Sequence, residues 1–208
     1  MTTGKQRINY TTIAILLVSA AFITIFFVIS TPAIAQYKTG SPAPDFTLEA
    51  LDGEIFQLNQ FLNKQQHLIL FFMHSEEDSS LAKLGDLITF LNDYQPRESY
   101  QIVAIMEQSQ DSEGAIEKLN NLKSKAEIPL IILLDTDGKI NTVYGVKTYP
   151  TVLLLRTDLY VRKAYDRFTS RQEASFYQYL KFIFTSQKSK DSGNGCDDGV
   201  YPPPPGFE

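Results

Sequence analysis

The sequence predicts an α/β fold: a central mixed β-sheet with helices on both faces, opened by an N-terminal hairpin and preceded by a signal or transmembrane helix. Three observations carry this. Leu68 to Met73 is an unbroken apolar run that gives way at His74-Ser75 to an acidic helix start. A short apolar run without alternation reads as a strand buried on both faces. Two further apolar runs, Ile102 to Met106 and Leu130 to Leu134, follow at intervals filled by helical periodicity. Strands that alternate with helices imply parallel βαβ units. Asp52-Gly53 lies between Phe46-Thr47-Leu48 and Ile55-Phe56-Gln57, a hairpin turn pair between short strands.

In chain order, residues 1–10 are polar and contain Lys5 and Arg7, and Ile13 to Ile29 is almost wholly apolar. A spanning helix needs about 20 such residues and a signal peptide about 7–15, so this run lies between the two. Ala33-Ile34-Ala35 has the small-x-small form of a signal-peptidase site. Both readings export the rest of the chain, as a membrane-anchored domain facing the periplasm or cell exterior or as a protein secreted after cleavage at Ala35. The expected division is a signal anchor or signal peptide over 1–36, a linker over 37–44, one domain over 45–186 and a tail over 187–208.

Asn59 to Asn63 reads as a short helical turn before the central strand. Ser75 is placed to cap the following helix, with Glu76, Glu77 and Asp78 in its first turn, where the helix dipole favours acids. Leu81, Leu84, Leu87, Ile88 and Leu91 form its apolar face. Asp111 or Ser112 can cap the next helix, with Ile116, Leu119 and Leu122 facing inward. Leu159 to Ala164 reads as an antiparallel edge strand. Ser170 to Glu173 has the S-x-x-E form of a capping box for the last helix, which carries Phe176, Tyr177, Leu180, Ile183 and Phe184 on one face. The tail is polar and Gly-rich and ends near Pro202 to Pro205; it carries too little apolar surface to fold alone. The prolines favour an extended polyproline II segment.

The 208 residues carry a net charge of −5. Lys5 and Arg7 are the only charges in residues 1–35, which leaves 17 basic and 24 acidic residues and a net charge of −7 in the remainder. An acidic surface argues against nucleic acid as a partner. Cys196 is the one cysteine, so no internal disulfide and no cysteine zinc site can form. His67 and His74 are the two histidines, too few for a histidine metal site, and no metal or other cofactor is expected. Ser75, Ser79 and Ser80 lie near His74, but a base must sit at hydrogen-bonding distance and be oriented by a third group, which adjacent positions at a strand end seldom arrange.

The stretch from Leu68 through Ser80 resembles the thioredoxin-like superfamily, in its exported redoxin branch of thiol–disulfide reductases and alkyl hydroperoxide reductase/thiol-specific antioxidant relatives. Two further stretches resemble the same branch in family order. SPAPDFTLEALDGEIFQLNQF, from Ser41, looks like a redoxin opening, and YGVKTYPTVLLL, Tyr144 to Leu155, looks like its Y-G-V-x-x-x-P-T motif. The resemblance covers about Gly40 to Thr185. It implies a cis peptide before Pro150, preceded by Tyr149, facing the helix start across a groove. In the branch an apolar strand leads into W-C-x-x-C. Here Glu76 and Ser79 stand at the cysteine positions, and shifting the register by one residue finds no cysteine. The P-x-x-x-[TS]-x-x-C pattern of peroxiredoxins is absent as well.

Two functions of different class follow. One is a non-catalytic module that binds an extended protein or peptide segment in the groove, through Tyr149, Pro150, Thr151, Ser75 and Glu76. The other is a redoxin-type oxidoreductase or antioxidant that uses Cys196 or a partner's thiol. About 11 residues separate Cys196 from Thr185, and an extended chain spans ~3.3–3.6 Å per residue, so the tail can reach the groove. An exposed cysteine can also link two chains.

Overall fold

The computed structural model describes residues 37–64, 66–94, 99–108 and 113–190. The apolar N-terminal segment, Asp111, Ser112, Cys196 and the proline tail lie outside the described residues. The elements are β1 (Thr47–Glu49), β2 (Ile55–Gln57), a 3-10 turn (Leu58–Phe61), β3 (Gln66–His74), α1 (Asp78–Tyr94), β4 (Ser99–Glu107), α2 (Glu113–Lys125), β5 (Leu130–Asp135), α3 (Lys139–Tyr144), β6 (Thr151–Leu155), β7 (Val161–Tyr165) and α4 (Ser170–Lys190). Five strands form one sheet in the order β5-β4-β3-β6-β7. β3, β4 and β5 are parallel, and β6 and β7 run antiparallel, which gives the expected mixed sheet. β1 and β2 pair separately as the expected hairpin.

β3 is the middle strand, and His67 through Met73 are all buried. Its side chains alternate between two cores, as the pleat requires. Ile69, Phe71 and Met73 face a core with the apolar stripes of α1, α2 and α4. Leu68, Leu70 and Phe72 face a second core with Phe46, Phe56 and Tyr144. The helices are therefore unevenly placed. Three long ones cover one face: α1 and α2 as the two successive right-handed crossovers demand, and α4 packed beside them after β7. The hairpin and the short α3 cover the other. His67 is buried in the middle strand and stacks on Tyr100 with ring centroids 5.0 Å apart. Burial, assisted by the Arg162 charge, holds its imidazole below the ordinary value.

Four local expectations are corrected. The first helix begins at Asp78, not just after Ser75, because a tight turn intervenes, with Glu77 N–H donating to the His74 carbonyl at 3.1 Å. Glu76 and Glu77 precede the helix, and Asp78 alone lies in its first turn, bonded to Lys118 at 2.7 Å. Residues 40–43, expected as linker, are strand partners. Gly40 N–H donates to the Val161 carbonyl at 2.8 Å, Val161 N–H to Ser41 at 2.9 Å and Ala43 N–H to Leu159 at 2.9 Å. They supply hydrogen-bond partners to the start of the edge strand β7, which would otherwise face water.

The helix α3 was not foreseen. Six residues are too few to show a helical period. Its ends are set instead by Gly138 and Gly145, both left-handed at φ 65° and 68°. The capping box of α4 is formed one residue earlier than read. Thr169 N–H donates to Gln172 Oε1 at 3.1 Å, and Gln172 N–H returns a bond to Thr169 Oγ1 at 3.4 Å. Glu173 is drawn away to the ammonium of Lys83 on α1 and accepts from the Tyr177 hydroxyl at 2.9 Å.

That ion pair, with side chains 22% and 11% exposed, ties α1 to α4 across the first core. Glu173→Ala would leave a largely buried ammonium with only the Ser170 hydroxyl at 3.5 Å, and the Tyr177 hydroxyl without its carboxylate acceptor. We expect a loss of about 2 kcal/mol in urea unfolding, because a buried charge stripped of its partner costs more than the pair gains. A loss below about 0.5 kcal/mol would place the pair among surface ion pairs.

Candidate functional site

The three parallel strands end level with one another. His74 of β3 is paired in register with Glu107 of β4, and Glu107 with Asp135 of β5. On the other side of β3, Thr151 is opposite Phe72, so the Tyr149–Pro150 loop meets the same end of the sheet. The result is a polar row, His74–Glu107–Asp135, with Tyr149 beside it. Open α/β sheets place their sites outside the carboxyl ends of the strands.

Each member is held by named contacts. Asp135 is fully buried, and its two carboxylate oxygens accept the N–H groups of Ile140 (3.3 Å) and Asn141 (2.9 Å) at the start of α3. Burial pushes its carboxyl above the ordinary range, against those two bonds. Glu107 is half-buried. Its Oε2 accepts from the Asn141 amide at 3.1 Å and from the Tyr149 hydroxyl in a short bond. Glu107 Oε1 lies 3.2 Å from where a Cβ on Gly138 would sit, so the positive-φ glycine also makes room for the carboxylate. Burial and donation to Glu107 together push the Tyr149 hydroxyl well above the ordinary phenol value. The rings of His74 and Tyr149 are 5.6 Å apart. His74 Nδ1 accepts the Glu76 N–H at 3.2 Å, which leaves the proton of a neutral ring on Nε2.

The residues singled out from the sequence fall into three groups. Tyr149 and Ser75 reach the row: Tyr149 bonds Glu107 by its side chain, and the Ser75 N–H donates to the Glu107 carbonyl at 3.1 Å. Glu76 and Ser79 are exposed, Glu76 in the turn and Ser79 in the first turn of α1. Pro150 and Thr151 are buried, and the Thr151 hydroxyl donates to the Thr148 carbonyl at 2.7 Å. The Tyr149–Pro150 peptide is cis. Tyr144, from the same sequence motif, is a core residue whose hydroxyl donates to the Pro44 carbonyl at 2.7 Å. Glu107, Asp135 and Asn141 were missed. The available signal was an acid closing each of two apolar strands, Met106-Glu107 and Leu134-Asp135.

Among the described residues no cluster of His, Cys, Asp or Glu is arranged to hold a metal ion, and none of them is a cysteine. The turn from Glu76 to Ser79 therefore offers carboxylate and hydroxyl oxygens, which cannot form a mixed disulfide.

A family model described as the AhpC/TSA family matches residues 39–164. The chain belongs to the AhpC/TSA family. No curated protein matches the sequence. Among solved structures, this AhpC/TSA chain is similar to a protein from Chlorobium tepidum assigned as the thiol:disulfide interchange protein DsbE. Identity is 18%, the match covers 72% of this chain and 99% of that one, and the TM-score is 0.54. It is also similar to a thiol:disulfide interchange protein from a Bacteroides species, at 17% identity, 72% and 91% coverage and a TM-score of 0.55. The thioredoxin domain of a thiol-disulfide oxidoreductase from Bacteroides vulgatus aligns at 17% identity, 69% and 99% coverage and a TM-score of 0.52. These likenesses establish a thioredoxin-like fold for the AhpC/TSA domain.

Proposed function

We propose that this chain is an exported, membrane-held AhpC/TSA domain that binds an extended protein or peptide segment and carries out no thiol–disulfide chemistry of its own. The observation that carries the reading is a mismatch at one place. The strand–turn–helix and the facing Tyr149–Pro150 loop are present, while Glu76 and Ser79 occupy the turn and Cys196 is the only sulfur nucleophile in the chain. Pairing of a segment with exposed backbone needs no cysteine. Tyr149, Ser75 and Glu76 supply the accessible surface, and Pro150 and Thr151 shape the loop from beneath. Export rests on the apolar run Ile13 to Ile29 behind Lys5 and Arg7. Among the described residues no helix is long and apolar enough to cross a membrane; the anchor is read from the sequence of that run alone.

A second reading has support of its own. The family and the names of the similar structures point to disulfide exchange, which here would have to use Cys196 or a partner's thiol. The two readings separate on a thiol-free ligand. An unfolded protein whose cysteines have been carboxymethylated is expected to bind the full-length chain, and to bind Cys196→Ser equally. Its folded form is expected not to compete. Absence of binding to the blocked chain, with capture of the same protein when its thiols are free, would favour exchange.

A further inference from the structure

We propose that the segment bound at this site presents an arginine to Glu107, and that Tyr149 holds the place of that arginine in the free protein. The inference rests on the segment-binding reading and names the chemistry of its ligand.

The polar row is short of donors. Among the described residues two donors reach the carboxylate, the Tyr149 hydroxyl and the Asn141 amide, and both bond Oε2. Glu107 Oε1 is turned toward Gly138, and among the described residues no donor bonds it. Asn141 is 3% exposed, and its Oδ1, on the same amide that bonds Glu107, is buried without a partner. A buried acceptor left without a donor is a standing cost in the free protein. The nearby cations are engaged elsewhere or free of the row: Lys118 is paired with Asp78 and Lys139 with Asp137, while Lys147 is exposed and bonds neither Glu107 nor Asp135.

A ligand that fits this set brings donors only, and more than one. A guanidinium carries five N–H groups in a planar fork and no acceptor. Tyr149 is half-buried and lies on a loop at the mouth of the row, so its side chain is the one a ligand must displace. When its hydroxyl leaves Glu107 Oε2, one edge of a guanidinium takes the carboxylate and a further N–H turns to Asn141 Oδ1. The guanidinium brings two charged N–H donors to a carboxylate that the tyrosine meets with one neutral hydroxyl, and a bidentate pair with charge on both partners is the stronger. The acids at the turn, Glu76 and Glu77, add an attractive field at the entrance.

The test compares two short alanine–serine peptides that differ only at the centre, one with arginine and one with its neutral isostere citrulline. Binding to the full-length chain is read by fluorescence anisotropy. The arginine peptide is expected to bind about tenfold or more tightly than the citrulline peptide, and to lose that advantage as salt is raised. Glu107→Gln is expected to reduce the arginine peptide to the citrulline level. Tyr149→Phe, which removes the competing hydroxyl, is expected to strengthen the arginine peptide and leave citrulline unchanged. The wild-type comparison needs no variant to fold. Equal binding of the two peptides overturns the arginine inference and leaves the segment-binding reading standing. Binding of neither peptide defeats the segment-binding reading itself.

Discussion

Placing cysteines at both turn positions, Glu76→Cys with Ser79→Cys, is expected to turn this chain into a disulfide reductase. With dithiothreitol as reductant, the double variant should reduce a model protein disulfide at least about tenfold faster than the wild-type chain. Position 76 is exposed in the turn and position 79 lies in the first turn of α1, near the helix N-terminus that favours a thiolate. Position 76 lies in the turn just before the helix, so the disulfide forms only if that turn brings the two Cα atoms to about 4.4–6.8 Å. The thiolate at position 76 would attack the substrate disulfide, forming a mixed disulfide and expelling one substrate thiolate. The thiol at 79, as its thiolate, would then attack that bond, releasing the second substrate thiol and closing a 76–79 disulfide for dithiothreitol to reduce. Glu77 and Asp78 flank the pair and oppose thiolate formation, so replacing them with Gln and Asn should raise the rate further. A double variant that folds, forms the 76–79 disulfide and stays inactive would mean that the rest of the groove no longer admits a disulfide. One that cannot form the bond would mean that these two positions are not the counterparts of the family's cysteines.

Asp135→Ala is expected to be the most damaging substitution at the site, with a loss of about 2–4 kcal/mol in urea unfolding. The carboxylate is fully buried and accepts the first N–H groups of α3, so alanine strands two donors in the interior. The damage should spread to function, because α3 carries Asn141, whose amide bonds Glu107, and leads into the loop of Tyr149. Asparagine at this position keeps one acceptor and should lose less. The pH dependence has a definite sign. Burial raises the folded-state value above the ordinary 3.8, so the folded state holds the proton more tightly than the unfolded one. The contribution of this group to stability is largest below the ordinary carboxylate value and declines as pH rises through the folded value. Asp135→Asn should flatten that part of the pH–stability curve. A loss under about 0.5 kcal/mol for alanine would mean that the burial penalty of the carboxylate offsets its two bonds.

The parts of the fold that were legible are those in which one physical signal dominates. The uninterrupted apolar run of β3 announced a strand buried on both sides, and the leucines of α1 announced a helix on one of them. Boundaries depend on competition among side chains, which a sequence does not display. Ser75 looked like a cap, but a turn closed by Glu77 delays the helix to Asp78. Glu173 looked like half of a capping box, but Lys83, 90 positions away in sequence, draws it off and leaves the box to Thr169 and Gln172. The loop of Tyr149 and Pro150 was legible only through resemblance, since neither its cis peptide nor its position opposite the turn has a local signature. Glu107 and Asp135 were visible as acids closing apolar strands, yet their convergence depends on the register of β3, β4 and β5.

The most direct test of the central claim is disulfide reductase turnover by the full-length chain, with dithiothreitol and a model protein disulfide, run beside Cys196→Ser. A thioredoxin-like fold with Glu76 and Ser79 in the turn should give no turnover above the uncatalysed rate, identical for the two proteins. Turnover that disappears with Cys196→Ser would contradict the account: the tail would then deliver the sulfur to the groove, and the chain would be an enzyme.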